Sequence, residues 1–297
     1  MGAGRVRLAT RGSPQARTQA EVVAEQIRRL TGAEVELVTV ETTGDQRRDV
    51  PLHVIGGQGV FVKEVQQAVL DGAADVAVHS AKDLPSTPHP DLVIGAFTPR
   101  RDPADALIGR ALDDLADGAT VATGSVRRRA QLAAVRPDLV FTDLRGNIAT
   151  RLGKVPAGGA IVMAVAALEV LDLTEHVAER LDPVVFVPAV GQGCVAVECR
   201  AVDEATRAAL AAVDDAPTRR AVEVERTFLA QLGSGCSLPV GGHVHDGRLW
   251  AFLASSDVDP SAAPVRSEVR SSPLDGSAAD HERARQLAAE LLAAVGG

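Results

Sequence analysis

Aromatic residues are nearly absent from this sequence. It contains no Tyr and a single Trp, Trp250, and aromatic residues make up 2% of its 297 residues. Proteins that bind single-stranded nucleic acid stack bases on aromatic side chains, so the chain lacks the means for this mode of recognition. The formal net charge of −8 also argues against non-specific binding of DNA or RNA, which needs a basic surface. We therefore expect no nucleic-acid partner, and any anion site must come from a local concentration of arginine.

Long apolar runs and cysteine are also scarce. No stretch approaches the roughly 18 consecutive apolar residues of a membrane span, and the opening residues MGAGRVRLAT lack the apolar core of a signal peptide. These absences predict a cytoplasmic protein with no membrane partner. Cys194, Cys199 and Cys236 cannot all pair with one another, and their spacing lacks the CxxC pairs of structural zinc sites. Either all three are small buried hydrophobic residues, or one of them is a reactive thiol.

Strand-like and helix-like segments alternate through the first two thirds of the chain. Ser13 is a predicted N-cap, Pro14 the first helical residue, and Gly32 the stop of the first helix. The first unit contains predicted strands at 6–10, 35–40, 75–80 and 92–97 and a second helix around 62–69. The second unit follows the segment TPRRDPAD. It contains the predicted strands TVATG, LVFTDL and AIVMAV, a helix at about 126–135 after the first of them, and a short helix after the second. This alternation predicts mostly parallel sheets, with ligand sites in the loops that follow the strands.

The chain then changes character twice. The Gly-punctuated segment VPAVGQGCVAVEC, residues 187–199, predicts a return to the first sheet. From Thr218 onward, a helix, two extended runs around a DG turn, a third extended run and a final helix describe a separate α+β domain. We therefore predict an α/β protein of three domains: residues 1–97 with 193–214, residues 98–192, and residues 217–297.

Arginines gather where strands of the second unit should pass into helices. Arg127–Arg129 follow the segment Thr123–Ser125, so their guanidinium groups and the helix N-terminal amides would converge on a spot that suits carboxylates or phosphates. Arg145 and Arg151 follow the next strand of the same unit. A solvated helix face would account for one such cluster. Two clusters at neighbouring strand ends favour a shared anion pocket.

The first unit offers a different pair of charges. Lys82 and Asp83 follow a predicted strand in HSAKDLP, where a carboxylate could accept hydrogen bonds from ligand N–H groups and stabilise a developing positive charge. Taken alone, such a pair is also typical of a surface ion pair. His79 is typical of a structural histidine.

Three further loops carry possible site residues. Arg11 and Ser13 lie at the first strand-to-helix turn, where Ser13 is either an anion contact or a plain helix cap. The Gly-rich segment 56–64 matches neither a Walker A loop nor a dinucleotide fingerprint. Cys236 lies between Gly235 and Ser237, a setting that favours an accessible thiol over a core one.

In order along the chain, seven segments resemble the motif series of the porphobilinogen deaminase (hydroxymethylbilane synthase) family, from about Arg5 to the C-terminus. They are TRGSPQA, GGQGVFVKE, HSAKDLP, TGSVRRRAQL, LRGNIATRL, PAVGQGCVAVECR and LGSGCSLPVG. The resemblance implies two domains similar to the halves of type II periplasmic binding proteins, and a C-terminal α+β domain that bears the cofactor cysteine. It implies no metal.

The resemblance also implies a transferase of tetrapyrrole and heme biosynthesis. Such an enzyme joins four porphobilinogen units head to tail, with loss of ammonia, on an enzyme-bound dipyrromethane, and water then releases hydroxymethylbilane. Cys236 matches the position that forms the thioether to dipyrromethane. Asp83 matches the catalytic aspartate, proposed to hydrogen-bond pyrrole nitrogens while an azafulvene-like cation forms. Chain growth needs room, so we expect hinge motion between the two α/β domains and a mobile Gly56–Gly59 loop.

Other positions match family residues that bind the cofactor and the substrate, the arginines, Lys82, Ser13, Thr123 and Ser125 through acetate and propionate groups. For the cofactor, they are Ser80, Lys82, Asp83, Thr123, Ser125, Arg127, Arg128 and Arg145. For the substrate, they are Arg11, Ser13, Gln19, Arg145 and Arg151. The carboxylate-rich ligand explains why an acidic protein keeps this set of cations.

The sequence departs from the family at four positions. Val54 and Gln58 stand where some members carry lysine, and Ala104 and Val170 where many carry arginine. Two alternatives therefore stay open: a non-catalytic protein that binds small anions or a tetrapyrrole, and a divergent paralogue with an altered pyrrole substrate. Cys236 and Asp83 argue against the first, and Val170 keeps the second open. We expect a monomer.

Overall fold

The computed structural model describes residues 4–42, 44, 59, 61–233, 238–255 and 266–296. Expectations for Val54, Gln58, Cys236 and the segment 56–58 fall outside these residues. Within the described part, the strands are β1 Arg5–Arg11, β2 Glu34–Val40, β3 Val76–Ser80, β4 Leu92–Phe97, β5 Asp105–Ile108, β6 Thr120–Ala122, β7 Val140–Thr142, β8 Ala160–Ala164, β9 Val177–Arg180, β10 Val195–Arg200, β11 Val240–His245, β12 Arg248–Ala254 and β13 Ser267–Pro273. The helices are α1 Pro14–Thr31, α2 Lys63–Leu70, α3 Val126–Val135, α4 Ile148–Leu152, α5 Val165–Glu169, α6 Glu204–Ala211, α7 Ala216–Gln231 and α8 Ala279–Val295.

Helix α1 shows how local sequence signals build the first unit. Ser13 caps it by accepting a hydrogen bond from the Ala16 N–H at 3.3 Å, and Gly32 ends it with a left-handed φ of 71°. The residues it buries, Ala20, Val23, Ala24 and Ile27, recur at helical spacing and pack on the first sheet. The predicted cap, start and stop of this helix are confirmed.

The two α/β units share one strand order. The first sheet runs β2-β1-β3-β10-β4 and the second β7-β6-β8-β5-β9. Strand β10, from the motif that follows Val187, lies between β3 and β4, so the predicted return to the first sheet is confirmed. The chain is thus α/β, with two five-stranded sheets of one strand order and a separate C-terminal α+β unit.

The prediction of mostly parallel sheets is confirmed for four of the five strands in each sheet, and one strand in each sheet is the exception. Strand β10 is antiparallel to β3 and β4, and β5 is antiparallel to β8 and β9. Both strands follow directly on a segment that crosses from one sheet to the other, without a returning helix. A strand entered from the carboxyl-end edge of a sheet must run opposite to its neighbours. Short strands β5 and β9 carry no two-residue alternation, and the sequence analysis missed both.

The crossover segments, residues 98–104 and 181–194, lie side by side between the two sheets. The Thr98 N–H donates to the Val195 carbonyl at 3.0 Å, and the Arg101 N–H to the Gly193 carbonyl at 2.9 Å. The predicted domain boundaries at residues 97 and 193 fall at the ends of these segments, and the division into domains itself stays a prediction.

The C-terminal unit is a three-stranded antiparallel sheet, β11-β12-β13, covered by α7 and α8. Asp246 and Gly247 both have positive φ, 47° and 68°, as a two-residue hairpin turn requires, so the predicted DG turn is confirmed. Phe228, Leu249 and Leu291 are fully buried between sheet and helices. Among the described helices, none combines the length and apolar character that crossing a membrane would take.

Candidate active site

The turn that follows β3 carries the pair Lys82 and Asp83. Residues Ala81–Asp83 form a single 3₁₀ turn, held where the Ala81 N–H donates to the Cys194 carbonyl at 2.9 Å. Gly191 packs against this turn with a φ of 71°, and a Cβ there would lie 3.0 Å from the Ala81 Cβ and 3.3 Å from the Lys82 nitrogen. Only glycine satisfies both conditions, so Gly191 holds the turn against the crossover segment.

The Asp83 carboxylate is partly buried, and no hydrogen-bond donor or cation of the described residues lies within bonding distance of it. Lys82 instead donates from Nζ to the Gln192 Oε1 at 3.3 Å. Burial, and next the charge of Arg128, lower the pKa of Lys82 to about 8. The interpretation as a plain surface ion pair therefore does not describe Lys82 and Asp83.

Helix α3 starts at the carboxyl end of β6 and presents the arginine cluster. The Ser125 side chain caps it by accepting from the Arg128 N–H at 3.4 Å, and the Thr123 Oγ1 accepts from the Ser125 N–H at 3.2 Å. Both predicted hydroxyl residues thus shape the turn from which Arg127 and Arg128 project. Whether they also contact a ligand stays a prediction.

Arg127 and Arg128 share one carboxylate, that of Asp105 at the start of β5. Arg127 Nη2 lies 2.7 Å from one oxygen, and Arg128 Nε and Nη2 lie 3.0 and 2.7 Å from the other. Asp105 is 1% exposed, and although burial would raise its pKa, the two guanidinium groups hold it well below the usual range. Two cations on one anion leave a buried net positive charge.

The structure gives Arg127 a second role. Its side chain is 5% exposed, and Nη1 donates to the Val187 carbonyl of the second crossover segment at 2.8 Å. Arg128 Nη1 donates to the Val162 carbonyl at 3.1 Å, so both guanidinium groups also organise protein backbone. Their predicted contacts with cofactor carboxylates stay predictions.

Arg151 lies near the other predicted cations of the site, Arg11, Arg128 and Arg145. Its Nε donates to the Gly146 carbonyl at 2.8 Å. Burial, then the charges of Arg128 and Arg145, lower its pKa to about 10; Arg11 acts in the same direction and Asp83 in the opposite one. The structure therefore brings predicted residues of both units together, because three arginines and Asp83 all lie close enough to Arg151 to act on its charge.

The other predicted residues of the first unit line the same region. Arg11 places its guanidinium carbon 4.0 Å from the centre of the Phe61 ring. Gln19 accepts from the Ser80 hydroxyl at 3.1 Å. Gln19, Ser80 and Lys82 face residues 164–167 of the second unit across a gap of about 20 Å³, room for about one water molecule.

Four polar residues near the site escaped the sequence analysis: Asp105, Gln192 and Glu225, which are buried, and Arg100, which is partly buried. A polar residue next to an apolar run was the only available signal for Asp105. The thiols of Cys194 and Cys199 are buried, and burial raises their pKa to about 12 and about 11. These two cysteines fit the interpretation as buried hydrophobic residues.

Replacing Asp105 by Asn is expected to lower the free energy of unfolding by about 3–5 kcal/mol, because it leaves two buried guanidinium groups without their carboxylate. Since the folded-state pKa of Asp105 lies below its unfolded value, its contribution is present at neutral pH and is lost as the pH falls through the acidic range. Urea unfolding at pH 7 and at about pH 2.5, below the unfolded pKa of an aspartate, measures both effects. Asp138→Asn, which removes an exposed ion pair with Arg136, is the control and should change little. Equal stability of the two variants at pH 7 would contradict the role of Asp105.

The geometry defines a class of protein. It is an α/β protein whose two sheets bring arginine and lysine side chains of both units near one another and near the Asp83 carboxylate, an arrangement that suits a carboxylate-rich ligand.

Comparisons with known proteins identify the family. Residues 6–208 match the family model described as porphobilinogen deaminase, dipyrromethane cofactor-binding domain. The chain is 46% identical to the porphobilinogen deaminase of Acidothermus cellulolyticus, over 97% of this chain and 89% of that protein. It is 44% identical to that of Nitratidesulfovibrio vulgaris, over 96% and 92%. The chain belongs to the porphobilinogen deaminase family, and it is a transferase that uses a dipyrromethane cofactor.

A solved structure, immunogenic lipoprotein A of Vibrio vulnificus, aligns with a TM-score of 0.44 and 14% identity, over 73% of this chain and 98% of that one. A likeness this weak carries no argument about function.

The residues present fit dipyrromethane, which carries acetate and propionate groups. Burial, and then the charges of three neighbouring arginines, lower the pKa of Arg151; burial, and then the charges of Arg128 and Arg127, lower that of Lys82. A bound polyanion would offset this repulsion between cations. Guanidinium groups also bind carboxylates in bidentate geometry.

Proposed function

We propose that the cleft between the two sheets carries the porphobilinogen deaminase activity of this chain, with Asp83 as its catalytic residue. The reaction joins four porphobilinogen units head to tail with loss of ammonia, and water releases the product hydroxymethylbilane. The observation that supports this placement most directly is the Asp83 carboxylate, which has no partner among the described residues and lies near two partly buried cations, Lys82 and Arg151.

Cofactor binding is assigned to residues on both sides of the cleft. When bound, dipyrromethane supplies a nucleophilic pyrrole carbon for chain growth. Its acetate and propionate groups would be held by Ser80, Lys82, Thr123, Ser125, Arg127, Arg128 and Arg145. The proposed attachment through Cys236 rests on the family motif, because that residue lies outside the described part of the chain.

Substrate binding is assigned to the remaining predicted contacts. They are Arg11, Ser13, Gln19, Arg145 and Arg151. Ser13 already accepts a hydrogen bond from the backbone of α1, so an incoming carboxylate would add a partner to its hydroxyl group. Arg151 keeps its two terminal nitrogens without a hydrogen bond to any described residue, so it can donate to a carboxylate in bidentate fashion.

Asp83 acts through its charge. Loss of ammonia from porphobilinogen leaves positive charge on a pyrrole ring, and a carboxylate that accepts the ring N–H stabilises that charge as it develops. The nearby cations would raise the cost of such a charge if Asp83 were absent. Asp83 therefore stabilises the cationic state more than the neutral substrate, and catalysis requires such a difference.

The test of this function is porphobilinogen consumption by the purified chain, with the product detected as uroporphyrin. Consumption with that product is expected, and its absence from protein that carries the cofactor would contradict the proposal. A product of different mass would favour the altered-substrate alternative. That alternative draws support from Val170 and Ala104, which are 8% and 0% exposed and place no cation at these two positions.

The cytoplasmic location, the monomeric state and the lack of nucleic-acid and membrane partners stay predictions.

Replacing Arg145 or Arg128 by Gln is expected to lower kcat/KM for porphobilinogen by about ten- to a hundredfold each, because a charged contact to a partly buried carboxylate is worth about 1.5–3 kcal/mol. Arg129→Gln is the matched control, since Arg129 follows Arg128 on α3 but places its guanidinium group over Phe141, at 5.4 Å from the ring centre. Steady-state kinetics of the three variants make the comparison. Unchanged kinetics in Arg145→Gln would refute its assignment.

A further inference from the structure

Gln192 lies where all three units of the chain meet. It belongs to the second crossover segment and is 1% exposed. Its side-chain amide is bonded at both ends, which is the arrangement a buried amide requires. Neither the motif analysis nor the mechanism above gives this residue a role.

The partners of Gln192 fix the orientation of its amide. Lys82 can only donate, and its Nζ lies 3.3 Å from Oε1. The Asp105 carboxylate and the Pro103 carbonyl can only accept, and they lie 2.9 and 2.7 Å from Nε2. The amide therefore turns its oxygen to the first unit and its nitrogen to the second.

The contacts extend from Gln192 in two directions. Asp105 also binds Arg128 at 2.7 Å, so Lys82 and Arg128 are linked by two intermediate side chains. The Gln192 backbone carbonyl accepts from Arg100 Nε at 2.9 Å. The Arg100 guanidinium pairs at 2.5 Å with Glu225 on α7, which is fully buried and also accepts from the Gly191 N–H at 2.8 Å.

We infer that Gln192 is a positioning residue, which holds the Lys82 ammonium group and the Asp105–Arg128 pair at a set separation across the cleft. The inference rests on the proposed function in one respect, that Lys82 and Arg128 bind carboxylates of the same ligand. An amide suits this place because a carboxylate would repel Asp105 and an ammonium group would repel Lys82. Two cations held by one rigid bridge present a fixed spacing to a ligand that carries several carboxylates.

The first test reads the local effect in protein without substrate. The fraction of Lys82 acetylated by trace acetic anhydride, measured by mass spectrometry against pH, gives the titration midpoint of the Lys82 ammonium group in the unchanged protein. Gln192→Met removes the acceptor while the burial stays, so the midpoint should fall. Gln192→Glu places a carboxylate beside the ammonium group, so it should rise. The matched control is Gln131→Met. Gln131 is also buried and donates to the Val187 carbonyl of the same crossover segment at 3.1 Å, but forms no hydrogen bond with Lys82 or Asp105. Its midpoint should equal that of the unchanged protein.

The second test reads the effect on the reaction. Gln192→Met is expected to lower kcat/KM for porphobilinogen by about tenfold or more, the effect of misplacing a charged contact, while Gln131→Met stays within about twofold. If Gln192→Met lowers the melting temperature but leaves the Lys82 midpoint and kcat/KM as in Gln131→Met, the residue is only structural and the inference is wrong. If Gln192→Met fails to fold, an unshifted Lys82 midpoint in Gln192→Glu would overturn the positioning inference equally. Shifted midpoints in a chain that turns over no porphobilinogen would support the positioning role and contradict the proposed function.

Discussion

Replacing Asp83 by Asn is expected to reduce porphobilinogen consumption by roughly 10²–10⁴-fold. The amide keeps the shape of the side chain but removes the negative charge that steadies a developing ring cation. Among the described residues the Asp83 carboxylate has no partner to lose, so the substitution should leave the fold and its stability nearly unchanged. Steady-state turnover and urea unfolding of the same preparation measure the two effects separately.

The control is Asp117→Asn, which removes a fully exposed carboxylate of the second unit. It should leave turnover unaltered. Near-normal activity in Asp83→Asn would remove this residue from the mechanism. A large loss of stability would instead mean that the Asp83 carboxylate is a structural group. The two results lead to different conclusions because one concerns rate and the other folding.

Changing Cys236 to Ser is expected to abolish both the covalent cofactor and the activity. A thioether needs a thiolate nucleophile, and a serine hydroxyl is far too weak an acid to replace it. Intact-mass measurement should show the unchanged protein heavier than its polypeptide by one dipyrromethane. The Ser variant should have the mass of the bare chain. A bare mass for the unchanged protein would contradict the attachment directly.

The other cysteines supply the matched controls. Cys194 and Cys199 are 2% and 0% exposed, and burial raises the pKa of both thiols, so neither is a competent nucleophile at neutral pH. Cys194→Ala and Cys199→Ala should therefore keep the extra mass, with at most a loss of stability from the space left in the core. An adduct that disappears in either variant but persists in Cys236→Ser would move the attachment site.

Local signals in the sequence predicted much of the fold. The cap at Ser13, the stop at Gly32 and the turn at Asp246 and Gly247 depend on the φ preferences and hydrogen-bonding groups of single residues. The family motifs placed the cationic residues on strand ends of both units, and the structure brings Arg128, Arg145, Arg151 and Lys82 near one another. None of these expectations needed knowledge of a distant part of the chain.

The antiparallel strands could not be predicted in the same way. Strands β5 and β10 take their direction from the edge at which the chain enters each sheet, and that edge is a property of the whole path of the chain. The pairing of Asp105 with Arg127 and Arg128 spans more than 20 residues, and that of Arg100 with Glu225 spans 125. No local pattern marks such partners.

The arginines and the lysine at strand ends by themselves indicated an anionic ligand, because such groups bind carboxylates or phosphates. The sequence also determined the family, through motifs that require particular side chains in a set order. Only the tertiary structure decided which cations are already neutralised and which are left for a ligand. That distinction depends on distances between residues far apart in the chain, since the charge–charge interaction and the cost of burial are both set by position in space.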